Sequence, residues 1–126
     1  MFLGRQKIQI KTDAQLQQMR VAGLVVARTL NLIRDAVAVG VSTLDLDAIA
    51  RENLKREGAQ SSFLNYHGYP AVICASINEE VVHGIPSDRK LSDGDIISID
   101  FGAHVEGWHG DSAITVLVGN TDPALK

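Results

Sequence analysis

Two aspartates at the ends of a short glycine-rich segment are the best candidates for chemistry in this sequence. Asp100 and Asp111 bracket the segment, three of the residues between them are glycines, and apolar runs lie on either side. The runs at residues 95–101 and 112–118 are predicted to be two strands of an antiparallel hairpin, because both are rich in β-branched residues and bounded by turn residues.

The predicted hairpin would bring the two carboxyl groups together. A tip at Val105 and Glu106 places Asp100 directly opposite Asp111, with Cβ atoms roughly 5 Å apart. Because side chains alternate along a strand, both aspartates fall on the less apolar face, away from Phe101. Two carboxylates this close cannot both remain ionised unless their charge is compensated.

Three kinds of compensation are open to such a pair. The carboxyl groups can share a proton, pair with Arg or Lys, or bind a divalent cation. The sequence has no Arg or Lys between residues 91 and 125, which weakens the ion-pair option without excluding a partner from elsewhere. Oxygen ligands suit Mn, Mg or Ca, and an added imidazole extends the choice to Zn, Fe or Co. Two solvent-facing hairpin residues are the structural alternative.

Two histidines and the single cysteine each have a structural and a functional interpretation. His83 ends an apolar run before Gly and Pro, and is either a half-buried residue or a proton shuttle beside a metal site. His109 precedes Asp111 by two residues, so its spacing allows a metal ligand, although its context also fits a surface turn. Cys74 lies in an apolar run and fits a small buried hydrophobe, with no motif of a nucleophile around it.

The elements that must position these residues begin with two helices. A capping box at Thr12 and an apolar periodicity predict a helix over about residues 13–38. A second helix is predicted to begin at Ser42 or Thr43 and to stop at Gly58, a typical residue after the last helical turn.

Strands follow the helices. Short β-type runs separated by turn dipeptides predict strands at 71–77, 81–83, 95–101 and 112–118. Two helices followed by a run of strands indicate an α+β fold with an antiparallel sheet, and not a βαβ unit. Residues 120–123 form a helix-start pattern, which suggests that the chain is the front part of something longer.

Composition narrows the classes of partner and compartment. The chain has 126 residues, of which 45% are hydrophobic and 21% charged, as in an ordinary globular domain. Its net charge is −3 and its basic residues are scattered, so direct binding to nucleic acid is not expected. A single cysteine, the lack of a signal-like apolar region and the lack of a membrane-length apolar run predict a soluble cytoplasmic protein.

Four segments together resemble type I methionine aminopeptidases. They match in order and at matching spacing: 66-YHGYP-70, 73-ICASINEEVVHGIP-86, 94-GDIISIDFGA-103 and 107-GWHGDSAIT-115. The resemblance implies the pita-bread (creatinase/aminopeptidase) fold, built from two α+β halves. It identifies residues 1–126 as the N-terminal half of the catalytic domain, with the second half absent from this chain.

The resemblance also implies a dinuclear metal site between the two halves. Asp100 would be the bidentate ligand of one divalent ion (Co, Mn, Fe or Zn), and Asp111 would bridge both ions. One His and two Glu from the second half would complete the ligand set, so metal occupancy of this chain by itself is left open. His83 matches the catalytic histidine that contacts the scissile peptide, whereas His109 matches no ligand.

A methionine side-chain pocket is implied as well. Phe63, Tyr66, Tyr69 and Cys74 match its lining positions, although the position of Phe63 often carries a smaller residue. The implied activity removes the N-terminal methionine from nascent proteins with a small second residue, which would bring the enzyme near the ribosome. With two of five ligands, this chain is predicted to be inactive alone, and to associate with a second copy or with the missing half.

Three other classes fit parts of the sequence. The pita-bread architecture also serves proline-specific peptidases, but the YHGYP and EEVVHGIP strings match the methionine type more closely. It serves non-catalytic peptide- or histone-binding proteins too, although such relatives often lose metal ligands and both aspartates are intact here. A metal- or partner-binding module made of the half-domain is the third alternative.

Overall fold

The computed structural model of the chain describes residues 11–79 and 84–119. Two helices precede four strands, with a short 3-10 turn at Tyr66–Gly68 between the first two strands. The elements are α1 (Asp13–Ala36), α2 (Thr43–Glu57), β1 (Gln60–Ser61), β2 (Ile73–Ile77), β3 (Ile96–Val105) and β4 (Trp108–Leu117).

Both helices begin and end where local chemistry favours it. The predicted capping box is present at α1, where the Thr12 side chain accepts a hydrogen bond from the Gln15 N–H. Ser42 and Asp45 form a second capping box at α2, and Gly58 ends that helix in the left-handed region at φ 68°. Helix α1 ends two residues earlier than predicted. None of the described helices has the length and apolar character needed to cross a bilayer.

The sheet is antiparallel throughout, and β3 lies at its centre. Strands β1 and β2 pair with different parts of one edge of β3, and β4 pairs with the other edge. The side chains of Ile97, Ile99 and Phe101 are fully buried and belong to the same apolar core as residues of α1 and α2. The opposite face of β3 carries Asp100. The predicted α+β class with two helices and an antiparallel sheet is therefore confirmed.

The hairpin register differs from the prediction by two residues. The tip lies at Glu106 and Gly107, which both have positive φ (51° and 83°), as a two-residue type I′ turn requires. Asp111 consequently pairs with Gly102, and Asp100 pairs with Ala113. The predicted direct opposition of the two aspartates is wrong: they are diagonal neighbours. A shift of two residues preserves the face of every side chain, so both still lie on the same side of the sheet.

Other strand boundaries depart from the sequence prediction. The predicted strand at 71–77 begins only at Ile73, and the hairpin strands extend further toward their shared tip than expected. Strand β1 was not predicted, because two residues are too few to show a period-2 pattern. The predicted strand at 81–83 and the helix-start pattern at 120–123 lie outside the described residues.

The buried face of β3 is expected to control stability. Replacing Ile97→Val removes one methylene from a side chain with no exposure and should lower the free energy of unfolding by about 1 kcal/mol. The same change at Ile85, which is 55% exposed, is the matched control and should cost much less. Urea unfolding of the two variants checks this. Equal losses would contradict the packing of the sheet described here.

Candidate metal centre

A cleft of about 740 Å³ lies over the face of the sheet that carries the two aspartates. Strands β2, β3 and β4 provide its floor, and the segment between β1 and β2 provides an aromatic wall. Every site residue that the family resemblance implies and that the structure describes borders this cleft. Its lining comprises Phe63, Tyr66, His67, Gly68, Tyr69, Pro70, Cys74, Ser76, Ile85, Ser98, Ile99, Asp100, Asp111 and Ala113.

The two carboxyl groups meet on the floor of the cleft. Asp100 is half-buried, and its carboxyl group lies within hydrogen-bonding reach of that of Asp111 across the hairpin. The pKa of Asp100 is raised to about 6, first by loss of hydration and then by hydrogen bonding to Asp111 and by its charge. In the metal-free chain the pair therefore holds an additional proton under mildly acidic conditions.

Among the described residues, no ion pair with Lys or Arg compensates the charge of Asp100 and Asp111. The ion pairs that the structure describes join Arg28 to Glu57 and Arg51 to Asp47, away from the hairpin aspartates. Within residues 11–79 and 84–119, no group of three His, Cys, Asp or Glu side chains could hold a metal ion. Two carboxylates fit a divalent cation by the chemistry of their oxygen donors, but they provide only part of a coordination shell.

Aromatic side chains form the wall above the carboxylates. The rings of Phe63 and Tyr69 meet edge to face with centroids 6.3 Å apart, and Tyr66 contacts His67 in a similar way at 4.3 Å. Gly102, the strand partner of Asp111, allows Phe63 to approach the sheet, since an added Cβ would lie 3.1 Å from its ring. Tyr66 is 68% exposed and so borders the mouth of the cleft.

Tyr69 and Cys74 make the inner wall neutral. The Tyr69 hydroxyl donates a hydrogen bond to the Ile73 carbonyl at 2.8 Å. The pKa of this hydroxyl is raised mainly by burial and, to a smaller extent, by contact with Cys74. Burial also raises the pKa of the Cys74 thiol, and the charges of the nearby Asp100 and Asp111 add to the effect. Both groups are protonated at neutral pH, so they present an uncharged surface beside the carboxylates.

His83 lies outside the described residues, but the residue that follows it is held firmly. The Gly84 carbonyl accepts a hydrogen bond from the Ala75 N–H at 2.8 Å, which attaches this segment to the edge of β2. An added Cβ at Gly84 would lie 2.0 Å from the Ala75 carbonyl oxygen, so only glycine fits. Ile85, the next residue, borders the cleft.

His109 does not border the cleft. Its Nδ1 is hydrogen-bonded to Ser62 Oγ at 2.9 Å, and its ring lies 4.7 Å from that of His104, its partner across the hairpin. These contacts fit the structural interpretation of His109 better than the ligand suggested by its spacing from Asp111.

Several lining residues were not singled out from the sequence. Ser98 and Ala113 follow from alternation, since each shares a strand face with one of the aspartates. Ser76 follows in the same way from Cys74 on β2. Pro70 and Ile85 carry no comparable signal, because they lie in irregular segments whose path depends on tertiary contacts.

Comparison with known proteins identifies the class to which this arrangement belongs. Residues 17–126 match the model of metallopeptidase family M24. A methionine aminopeptidase 1 of Mycobacterium tuberculosis is 54% identical over 127 aligned residues, which cover 98% of this chain and 48% of that protein. The chain therefore spans about half the length of this relative.

Solved structures give the same picture of the fold. A methionine aminopeptidase from Rickettsia prowazekii superposes with a TM-score of 0.90 at 38% identity, over 94% of this chain and 48% of that one. An X-Pro aminopeptidase from Thermotoga maritima superposes at 0.74 with 21% identity, over 93% of this chain and 32% of that one. The second likeness concerns the fold alone.

The raised pKa of Asp100 predicts a pH dependence of stability. Folding favours the protonated carboxyl, so the metal-free chain should lose stability as pH rises from about 4 to above about 6. Asp100→Asn removes this loss, because its amide can donate to Asp111 at any pH. In chelator-containing buffer the variant should be more stable than the parent by about 1 kcal/mol at pH 7, after discounting for solvent screening.

The difference in free energy of unfolding between Asp100→Asn and the parent should vanish near pH 4, where the side chain at position 100 is neutral in both folded chains. Denaturant unfolding at several pH values measures it, and comparison of the two chains removes the contributions of other titrating groups. A variant that is less stable than the parent at pH 7 would show that the carboxylates are not held in repulsion.

Proposed function

Because the chain belongs to metallopeptidase family M24, we propose that it forms the N-terminal half of the catalytic centre of a dinuclear metal-dependent methionine aminopeptidase. The observation that carries the proposal is the meeting of Asp100 and Asp111 on the floor of a cleft with an aromatic wall. The substrate would be the N-terminal methionine of nascent proteins with a small second residue, met in the cytoplasm as they leave the ribosome.

Asp100 and Asp111 are the metal ligands in this proposal. Their carboxylate oxygens suit divalent cations, among which Co, Mn, Fe and Zn are the candidates. Bound cations would supply Lewis-acid polarisation of the peptide carbonyl and a lowered pKa of water. The protein's part is to hold the two carboxylates on adjacent strands of a rigid hairpin, so that they converge on one point before any cation binds.

The wall of the cleft is proposed to receive the methionine side chain. Phe63 and Tyr69 offer aromatic surface and Cys74 a neutral thiol, all of which suit an unbranched thioether. Tyr66 would contact the substrate near the mouth of the cleft. His83, the residue before Gly84, is proposed to contact the scissile peptide and to stabilise its developing charge.

A second polypeptide segment is required for activity under this proposal. Two carboxylates provide only part of the coordination that two cations need, and the relatives that match this chain are about twice as long as the matched part. We therefore propose that the 126-residue chain alone does not hydrolyse peptides. The remaining ligands would come from the second half of the catalytic domain, or from a second copy of the chain.

Complementation tests the function directly. The chain is mixed with the separately expressed second half of the M. tuberculosis relative, and release of methionine from a Met-Ala-containing peptide is measured with Mn or Co. Activity is expected only in the mixture. Robust turnover by the chain alone would contradict the proposed need for a second segment, and an inactive but assembled mixture would contradict the proposed function.

Matched variants show whether the hairpin carboxylates act. Asp111→Asn is expected to lower kcat/KM of the mixture by more than about 100-fold, since even indirect partners of metal ligands cost up to about that factor. Asp35→Asn, an exposed change of the same chemistry on α1, should leave it unchanged. Equal activity of the two variants would remove Asp111 from the catalytic centre.

Metal titration separates the proposed half-enzyme from a self-sufficient metal-binding module. Calorimetry of the chain alone with Mn should show affinity well weaker than micromolar, because two carboxylates leave most ligand positions to water. The midpoint should shift to lower Mn concentration when the second half is added. Micromolar affinity of the chain alone, abolished by Asp111→Asn, would favour the binding module instead.

A further inference from the structure

An ion pair on α2 holds the backbone from which the cleft wall is built. Asp47 is 4% exposed, and its Oδ1 accepts hydrogen bonds from the backbone N–H groups of Val72 at 2.8 Å and Ile73 at 3.2 Å. Its Oδ2 accepts from Arg51 Nε at 2.7 Å. The second guanidinium arm of Arg51 donates to the Pro70 carbonyl at 3.0 Å.

These contacts satisfy backbone groups that the sheet does not pair. N–H groups alternate between the two edges of a strand, so the N–H of Ile73 points to the same edge as that of Ala75, which donates to Gly84 and not to β3. Asp47 thus takes the place of a neighbouring strand at the start of β2. An unsatisfied N–H at this buried position would be costly.

The held segment carries side chains of the cleft wall. Tyr69 and Pro70 lie just before the two N–H groups bound by Asp47, and Cys74 lies just after them. The Tyr69 hydroxyl donates a hydrogen bond to the Ile73 carbonyl, which closes a loop of contacts around residues 69–73. The positions of these side chains relative to the carboxylates therefore depend on where α2 holds the backbone.

We propose that Asp47 and Arg51 are positioning residues of the substrate pocket, which set the depth of the wall that receives the first side chain of the substrate. The identity of that side chain rests on the proposed function. The clamp, which is the set of hydrogen bonds from Asp47 and Arg51 to the backbone of residues 70–73, does not. Neither residue borders the cleft, so both act through the backbone of residues 70–73.

Cys74, the single cysteine of the chain, provides a readout of the wall that does not require activity. Its rate of modification by methyl methanethiosulfonate, a reagent about as large as the end of a methionine side chain, reports how accessible the wall leaves the thiol where it borders the cleft. Arg51→Ala should accelerate labelling by about tenfold, the factor expected from loss of one hydrogen bond with a charged donor. The side chain is 45% exposed and alanine favours helix, so this variant should fold.

Arg56→Ala is the matched control. Arg56 is also an arginine of α2 that contacts a residue one turn earlier, at Asn53 Oδ1, but it does not contact residues 69–73. Its labelling rate should equal that of the parent. Asp47→Asn keeps one oxygen for the two N–H groups but turns an amide donor toward Arg51 Nε, so its labelling rate should lie between those of the parent and Arg51→Ala. Asp47→Ala should label at least as fast as Arg51→Ala.

Equal labelling of the Arg51→Ala and Arg56→Ala chains would overturn the positioning role, whatever the activity. In the complemented enzyme, Arg51→Ala should also raise KM for a Met-Ala peptide several-fold with kcat nearly unchanged, and reduce the preference for Met over Leu. Faster labelling with no hydrolysis by any mixture would refute the proposed function and leave the clamp supported. Hydrolysis with parent-like labelling and KM would refute the clamp alone.

Discussion

Two carboxyl groups held together against their mutual repulsion are the constraint on which the rest of the described structure depends. Free side chains on a flexible segment would rotate apart, so the pair persists only because the hairpin fixes both backbones. The type I′ turn at Glu106 and Gly107 sets the register, and the diagonal relation of Asp100 and Asp111 follows from it. The pKa of Asp100 is raised by this placement, first through loss of hydration and then through the neighbouring Asp111.

The free energy that offsets the cost of the carboxylate pair comes from the opposite, buried face of β3. Alternation along β3 gives Ile97, Ile99 and Phe101 to the core, while Asp100 lies between them on the opposite side. Small residues matter on both faces. Gly102 lets the ring of Phe63 approach beside Asp111, and Gly110 lies so close to the backbone of α1 that a Cβ would be 3.2 Å from Ala22. One hairpin thus serves as a core element and as the floor of a site.

Local patterns predicted what depends on local chemistry, and failed where distant contacts decide. The helices and the faces of the strands were predictable from caps and periodicity. The hairpin register was not, because the glycine-rich segment does not single out Glu106 and Gly107 as the turn. The cleft wall could be named only through the family resemblance, because its path uses left-handed backbone at non-glycine residues such as Asn65 and His67. The sequence carries no signal for the role of Asp47, because its contacts with Val72 and Ile73 span 25 residues or more.

The exposure of the carboxylate pair links metal binding to completion of the fold. Asp111 is exposed and Asp100 is half-buried, so water still solvates the pair and the uncompensated charge is tolerated. Any segment that covers the cleft removes that water and makes the uncompensated pair more costly, unless a cation arrives with it. Under the proposed function, cation and covering segment must therefore each strengthen the binding of the other by the same factor, as thermodynamic linkage requires. Assembly would then depend on metal, because a covering segment without a cation leaves the carboxylate pair uncompensated.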